Sequence, residues 1–362
     1  MKVSELARAD VRALPLYAPD VADCAIDVSD NTNLWGCAPA ARRALADVAP
    51  ASLARYPSLY SAHLRDAVLR YADLSGVPGV GVVTGCGSDD VLDSAMRAFG
   101  APGSRITFAA PTFSMIPTFA RLNGLEVVAL PLTDRFDVDA ERLVDSGAAI
   151  TYLCTPNNPT ATALSRETVE YVASHARGLV IIDEAYAEFA PETFVGLVAR
   201  HERLLVARTF SKAFGLAGLR VGYGIASDDV VSLVQRARGP YKVNAMAERA
   251  ALASLGESED ALGWVRRHAS LAVEMRERLS DGLRAIGLEP LPSAANFVLV
   301  AAHDARALAA QLRARGILVR ALSGLPRDLP ALDASGGAAL RIGVGPWITM
   351  QGVLDALAEA RR

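Results

Sequence analysis

Two periodicities alternate along the first two-thirds of this chain, and that alternation limits the folds open to it more than any other feature. Short apolar runs at residues 80–84, 105–109, 126–130, 149–153, 179–183, 204–209 and 222–226 read as buried strands. Helical patterns fill most of the intervals, at 89–99, 114–122, 139–146 and 166–175. Strands alternating with helices imply a mostly parallel sheet flanked by helices on both faces. The run at 179–183 is apolar without a break up to its last residue, Asp183, as expected of a strand buried on both sides. After about residue 245 the pattern changes. One long helix is expected over 245–286, then shorter strands at 296–300, 317–320 and 340–344 with helices between them. The expected organisation is therefore α/β: an irregular N-terminal arm (1–35), a large domain (36–245) and a smaller α+β C-terminal domain (246–362).

Composition narrows the function classes. A formal net charge of −3 offers no electrostatic reason for nucleic-acid binding. No stretch approaches the roughly 20 apolar residues of a membrane span, and the first residues lack the apolar run of a signal peptide. The four cysteines, Cys24, Cys37, Cys86 and Cys154, are scattered with no CxxC pair, so neither a disulfide framework nor a metal site is expected. Reduced thiols in a cytoplasmic protein are the expectation. Of the 37 basic residues only Lys2, Lys212 and Lys242 are lysines. A chain that uses arginine for ordinary cationic work keeps a lysine where arginine fails, above all where an amine must shed its proton and act as a nucleophile.

Open α/β sheets bind ligands at the carboxyl ends of their strands, and there the residues are unusual. Residues 84–89 (Thr84, Gly85, Cys86, Gly87, Ser88, Asp89) open a helix with small side chains, which suits an anion. The same residues also read as a plain glycine turn with Ser88 as helix cap. Residues 155–160 place Asn157 and Asn158 between Pro156 and Pro159 in a rigid turn. Asp183 ends an apolar strand, where a carboxylate wants a cationic partner such as a protonated ring nitrogen, or else caps the next turn. Beyond the next strand, Thr209, Ser211 and Lys212 are followed by Arg220. The hydroxyls and guanidinium can grip a phosphate, and the lysine can form an imine.

Taken in order, these segments resemble the fold-type I pyridoxal-phosphate aminotransferases of class I/II, in the histidinol-phosphate aminotransferase branch. The resemblance runs from residues 11–17 of the arm through 55–57, 87–89, 111–113, 157–160, 183–186, 211–212 and 217–220 to 296–297, 319–320 and 340–342. It implies pyridoxal 5′-phosphate held through its aldehyde on Lys212, which later moves the substrate proton. It implies Asp183 on the pyridine nitrogen, Asn158 and Tyr186 on the ring's phenolic oxygen, and Phe113 stacked on the ring where many relatives carry tyrosine. The phosphate would rest on Gly87, Ser88, Asp89, Thr209, Ser211 and Arg220. Tyr56 would reach it from a second subunit, which implies a homodimer with shared active sites. On the substrate side the resemblance points to Arg341 as an anion clamp, assisted by Arg320 and Tyr17, with Asn33 as a candidate from the arm. A surface salt bridge is the alternative role for Arg320.

Three departures stand out: residues 30–36 in place of the branch's Asn-Glu-Asn-Pro, Ala161 in place of glycine after Thr160, and Phe113. The implied activity is amine exchange between histidinol phosphate or a related amino acid and a 2-oxo acid, expected to be 2-oxoglutarate. Aromatic amino-acid transamination and threonine-phosphate decarboxylation are the alternatives on the same fold. A regulator that binds the cofactor without turnover is the alternative from another class; such proteins carry a DNA-binding module ahead of this fold, and here only a short arm precedes it.

Overall fold

The computed structural model describes residues 2–16, 22–327 and 329–361. Twelve strands are present among them: β1 (Ile26–Asp27), β2 (Val80–Gly85), β3 (Arg105–Ala110), β4 (Glu126–Pro131), β5 (Ile150–Cys154), β6 (Leu179–Asp183), β7 (Leu204–Thr209), β8 (Gly222–Ser227), β9 (Phe297–Ala301), β10 (Ile317–Leu318), β11 (Arg320–Leu322) and β12 (Ala339–Gly343). Seven of them form the main sheet in the order β2-β8-β7-β6-β5-β3-β4. The sheet is parallel except for β8, which runs antiparallel to both of its neighbours.

The unbroken apolar run of β6 has a simple cause. Val180 and Ile182 face one core layer, while Leu179 and Ile181 face the other. A strand flanked by helices on both sides needs both parities to be apolar. All five residues of β5 and of β6 are buried, so the polar exceptions at their ends, Asn157 and Asp183, lie where the strands open onto the carboxyl edge of the sheet.

The smaller unit is an antiparallel sheet, β11-β12-β9. Leu340 and Ile342 of β12 pack with the helices Leu262–Ala285, Ala305–Ala314 and Trp347–Ala360 on one face. Arg341 points to the opposite face, the one shared with Phe297 and Leu299 of β9. That face turns towards the carboxyl edge of the main sheet, since Phe297 meets Tyr186 edge-on with centroids 5.2 Å apart.

Two sequence expectations change. The helix expected over 245–286 is two helices, Ala245–Ser254 and Leu262–Ala285. Gly256 opens the break, and its carbonyl accepts the N–H of Leu262 to close the connecting turn. The strand expected over 317–320 divides at Val319: β10 pairs in parallel with β1 of the arm, and β11 pairs with β12. Val28, next to β1, lies in the apolar cluster of the smaller unit. No helix among the described residues is long and apolar enough to cross a membrane, and none of their side chains form a metal-binding group of three or more.

Candidate active site

Lys212 sits three residues beyond the end of β7, half-buried, with its Nζ donating to the carbonyl of Asp30 at 2.9 Å. Burial, and then the guanidinium of Arg341, bring its pKa down to about 8. An amine in that range spends a useful fraction of its time as a free nucleophile near neutrality.

Asp183, 3% exposed, receives a hydrogen bond from the Tyr152 hydroxyl at 2.8 Å and another from the N–H of Ala185 at 3.1 Å. Burial pushes its pKa up to about 6, although both hydrogen bonds act in the opposite direction. A carboxylate held this way favours a cation placed against it. Tyr186 follows on the same connection; its hydroxyl accepts from the Asn31 amide at 3.2 Å, and burial raises its pKa to about 12. The Lys212 ammonium lies 5.7 Å from the centre of the Tyr186 ring.

Asn158 reaches the same space from the β5 turn, its Oδ1 accepting from Arg341 at 2.7 Å. Arg341 also donates to the Ser29 carbonyl at 2.6 Å. The turn itself is pinned by Asn157, which donates to the Pro111 carbonyl at 2.9 Å and to Thr160 at 2.8 Å. Asn157 further accepts from Thr112 at 2.8 Å, joining the turn to the loop that carries half-buried Phe113.

A second cluster lies at the start of the helix Gly87–Phe99. Gly87 has φ +80°, and a Cβ there would stand 2.7 Å from Arg220, so only glycine lets the guanidinium close over the helix N-terminus. Arg220 donates to Ser211 Oγ at 3.3 Å and to Asp89 at 3.4 Å. Thr209 Oγ1 accepts the N–H of Ser211 at 3.0 Å, and Ser88 is buried beside them. The backbone N–H groups of a helix start, the helix dipole, two hydroxyls and a guanidinium could together hold an anion such as a phosphate.

The structure thus gathers Lys212, Asp183, Tyr186, Asn158 and Arg341 around one space, with Gly87, Ser88, Asp89, Thr209, Ser211 and Arg220 in a cluster at the same sheet edge. Arg320, half-buried, stands directly across from Arg341 on β11. Tyr56 lies elsewhere: it is 82% exposed and stacks on Tyr241, with ring centroids 4.9 Å apart. The side chain of Asn33 is occupied by loop packing, donating to the Ala213 carbonyl at 2.8 Å and accepting from the Trp35 N–H at 3.0 Å. Tyr17 lies outside the described residues. Two contributors were not anticipated. A phenol in an otherwise apolar strand must find an acceptor, and that requirement at Tyr152 could have pointed to Asp183. Asn31 has φ +59° and gives its amide to Tyr186; nothing local in the sequence signals this.

Comparison with known proteins gives the family. Residues 25–357 match the family model for aminotransferase class I and II. A histidinol-phosphate aminotransferase of Roseiflexus castenholzii is 38% identical, the match covering 99% of this chain and 98% of that protein. One from Desulfitobacterium hafniense is 32% identical over the same shares of the two chains. Among solved structures, the histidinol-phosphate aminotransferase of Sinorhizobium meliloti in complex with pyridoxal-5′-phosphate shares the fold, with a TM-score of 0.84, 24% identity and coverage of 97% of this chain and 96% of that one. The site residues, the family match and the full-length relatives lead to one assignment: the chain belongs to the aminotransferase class I and II family.

Proposed function

We propose that this aminotransferase uses pyridoxal 5′-phosphate to move the amine of histidinol phosphate to a 2-oxo acid, with 2-oxoglutarate as the acceptor. The observation that carries the substrate assignment is the register of β11 on β12, which sets Arg320 opposite Arg341. Like charges directly across an antiparallel pair repel, and an anion of more than one charge placed between them relieves the repulsion. A phosphate ester is such an anion. The full-length relatives named above are histidinol-phosphate aminotransferases by name.

The residues fit the cofactor at both ends. Gly87, Ser88, Asp89, Thr209, Ser211 and Arg220 would hold its phosphate, and Asp183 would face its pyridine nitrogen. Asn158 and Tyr186 would hydrogen-bond its phenolic oxygen, and Phe113 would cover a ring face. When bound, it supplies an aldehyde that exchanges amines and a protonated ring that withdraws electrons from the reacting carbon. Lys212 Nζ would hold the aldehyde, and as a free amine it would carry a proton from one carbon to the next. The Asn158 oxygen is taken by Arg341, which leaves its amide hydrogens for the cofactor and ties the substrate clamp to the ring. The large and small units divide near residue 245 in this reading.

The test is kcat/KM for histidinol phosphate, its unphosphorylated alcohol and phenylalanine, with glutamate formation and CO2 release both followed. Arg320→Ala and Arg341→Ala are each expected to lower kcat/KM for histidinol phosphate by roughly ten- to a hundred-fold, the size of a lost charge-assisted contact. Both should have much less effect on the unphosphorylated alcohol. Equal, small effects on the phosphate ester would remove the assignment, and CO2 release without glutamate would replace transamination by decarboxylation.

The same reading includes a homodimer in which Tyr56 serves the partner's phosphate site. Its support is an exposed apolar patch of Leu53, Tyr56, Leu59, Tyr60 and Tyr241. A dimeric mass in solution and weaker cofactor binding by Tyr56→Phe are expected; a monomer with full cofactor affinity would contradict both.

A further inference from the structure

Lys242 is one of three lysines in the chain and lies outside the group around Lys212. It sits between the helices Asp228–Ala237 and Ala245–Ser254. Its Nζ donates to Asp90 Oδ1 at 2.8 Å. The other oxygen of Asp90, Oδ2, accepts the N–H of Cys86 at 3.1 Å. Cys86 is the middle residue of the turn that opens the helix Gly87–Phe99, and the turn is tight: a Cβ on Gly85 would stand 2.9 Å from Asp90 Oδ2. Arg238, its side chain only 4% exposed, lies 3.9 Å from the same carboxylate oxygen and donates to the carbonyl of Thr84.

The charges at this helix start pose a problem. The first turn carries Asp89 and Asp90 together. A phosphate dianion at the helix N-terminus meets two carboxylates that repel it, offsetting the helix dipole. Asp89 has Arg220 at 3.4 Å. Asp90 has Lys242 at 2.8 Å, with Arg238 farther off at 3.9 Å. Each carboxylate therefore has a cation against it, and for Asp90 the nearest is Lys242. Asp90 also cannot simply be dispensed with, because it shapes the turn through Cys86.

We propose that Lys242 and Asp90 form a positioning pair for the cofactor phosphate: Asp90 holds the turn, and Lys242 cancels the charge that Asp90 brings to it. The proposal rests on the reading that the phosphate sits at Gly87–Asp89. The amine suits the role, since a compact ammonium on a flexible stem reaches one carboxylate oxygen without competing for the backbone groups that Arg238 and the turn already use.

The experiment measures dissociation constants of the apoprotein for pyridoxal 5′-phosphate, for pyridoxal and for inorganic phosphate, at two salt concentrations. Lys242→Met is expected to weaken binding of both phosphate-bearing probes by about three- to tenfold at low salt, the size of one partly screened ion pair, and by less at high salt. Binding of pyridoxal should hardly change. Lys242→Arg, which keeps the charge but not the compact head, should lose less than Lys242→Met, and Asp90→Asn in the Lys242→Met background should recover most of the loss, because asparagine still accepts from Cys86 but carries no charge. Equal losses for pyridoxal and its phosphate would mean a merely structural bridge and would overturn the proposal. Arg220→Met separates the two levels. If it leaves phosphate binding untouched, the location of the phosphate is wrong; if it removes phosphate binding while Lys242→Met does not, only the pairing is wrong.

Discussion

Lys212→Ala is expected to lower turnover by about 10⁴-fold, the upper range for a group that delivers and removes protons, compounded by loss of the covalent anchor. The variant should still fold, because Lys212 makes one side-chain hydrogen bond, to the carbonyl of Asp30. It should still bind cofactor through the phosphate cluster, but borohydride should no longer fix the cofactor to the chain. Lys212→Arg should be no better, since a guanidinium cannot shed its proton at working pH. Only Lys2 and Lys242 remain as other lysines, so peptide mapping of the reduced parent protein has three possible answers. Label on either of the other two would overturn the assignment. A pH arm adds a second check. With the Lys212 pKa at about 8, the free amine is the minor form below that pH and the major form above it. The rate at which apoprotein captures the cofactor aldehyde should rise with pH and level off above about 8. A rate that continues to climb towards the ordinary lysine value of 10.5 would mean that the amine is not desolvated in the site.

The strand frame was legible because burial on both faces leaves a local mark, the unbroken apolar run, and each run of the main sheet is a strand. Asp183 and Lys212 were legible for a related reason: a carboxylate or an amine at the end of such a run has no packing explanation. Other features depend on partners far away in the chain. The facing of Arg320 and Arg341 is a property of register, and register follows from how β11 returns onto β12 across the intervening segment. The change of partner at Val319 depends on the arm supplying Ile26. The break at Gly256 was masked because the helices on either side carry the same apolar spacing. The contacts of Asn33 were also out of reach: its amide closes the loop between Trp35 and Ala213, and Ala213 is far away in the chain.

Asp183→Asn should harm the enzyme and stabilise the empty protein. In the proposed reading the carboxylate faces the ring nitrogen, where its charge would keep a proton on the ring and make the ring a better electron sink. Asparagine has nearly the same shape and can still accept from Tyr152, but it lacks the charge. The expected loss in kcat is about 10²- to 10³-fold, in line with removing one preorganised electrostatic partner from a dry site, with KM and cofactor retention changed far less.

Stability should move the other way. Folding raises the Asp183 pKa from 3.8 to about 6, chiefly by burial. Between those values the folded chain holds more protons than the unfolded chain, so this group's contribution to stability falls as pH rises through the window. Below 3.8 it costs nothing; above about 6 the full penalty is present, about 2–3 kcal/mol for a shift of this size. The asparagine variant escapes that penalty. Urea denaturation of the apoprotein should therefore show the variant more stable at pH 7.5 by up to that amount, with the difference shrinking at pH 4.5. Adding cofactor should stabilise the parent more than the variant, because only the parent offers a charge to the ring nitrogen. A variant that loses turnover without gaining apoprotein stability at neutral pH would show that Asp183 sits there at no cost, with its charge already balanced before any ligand arrives.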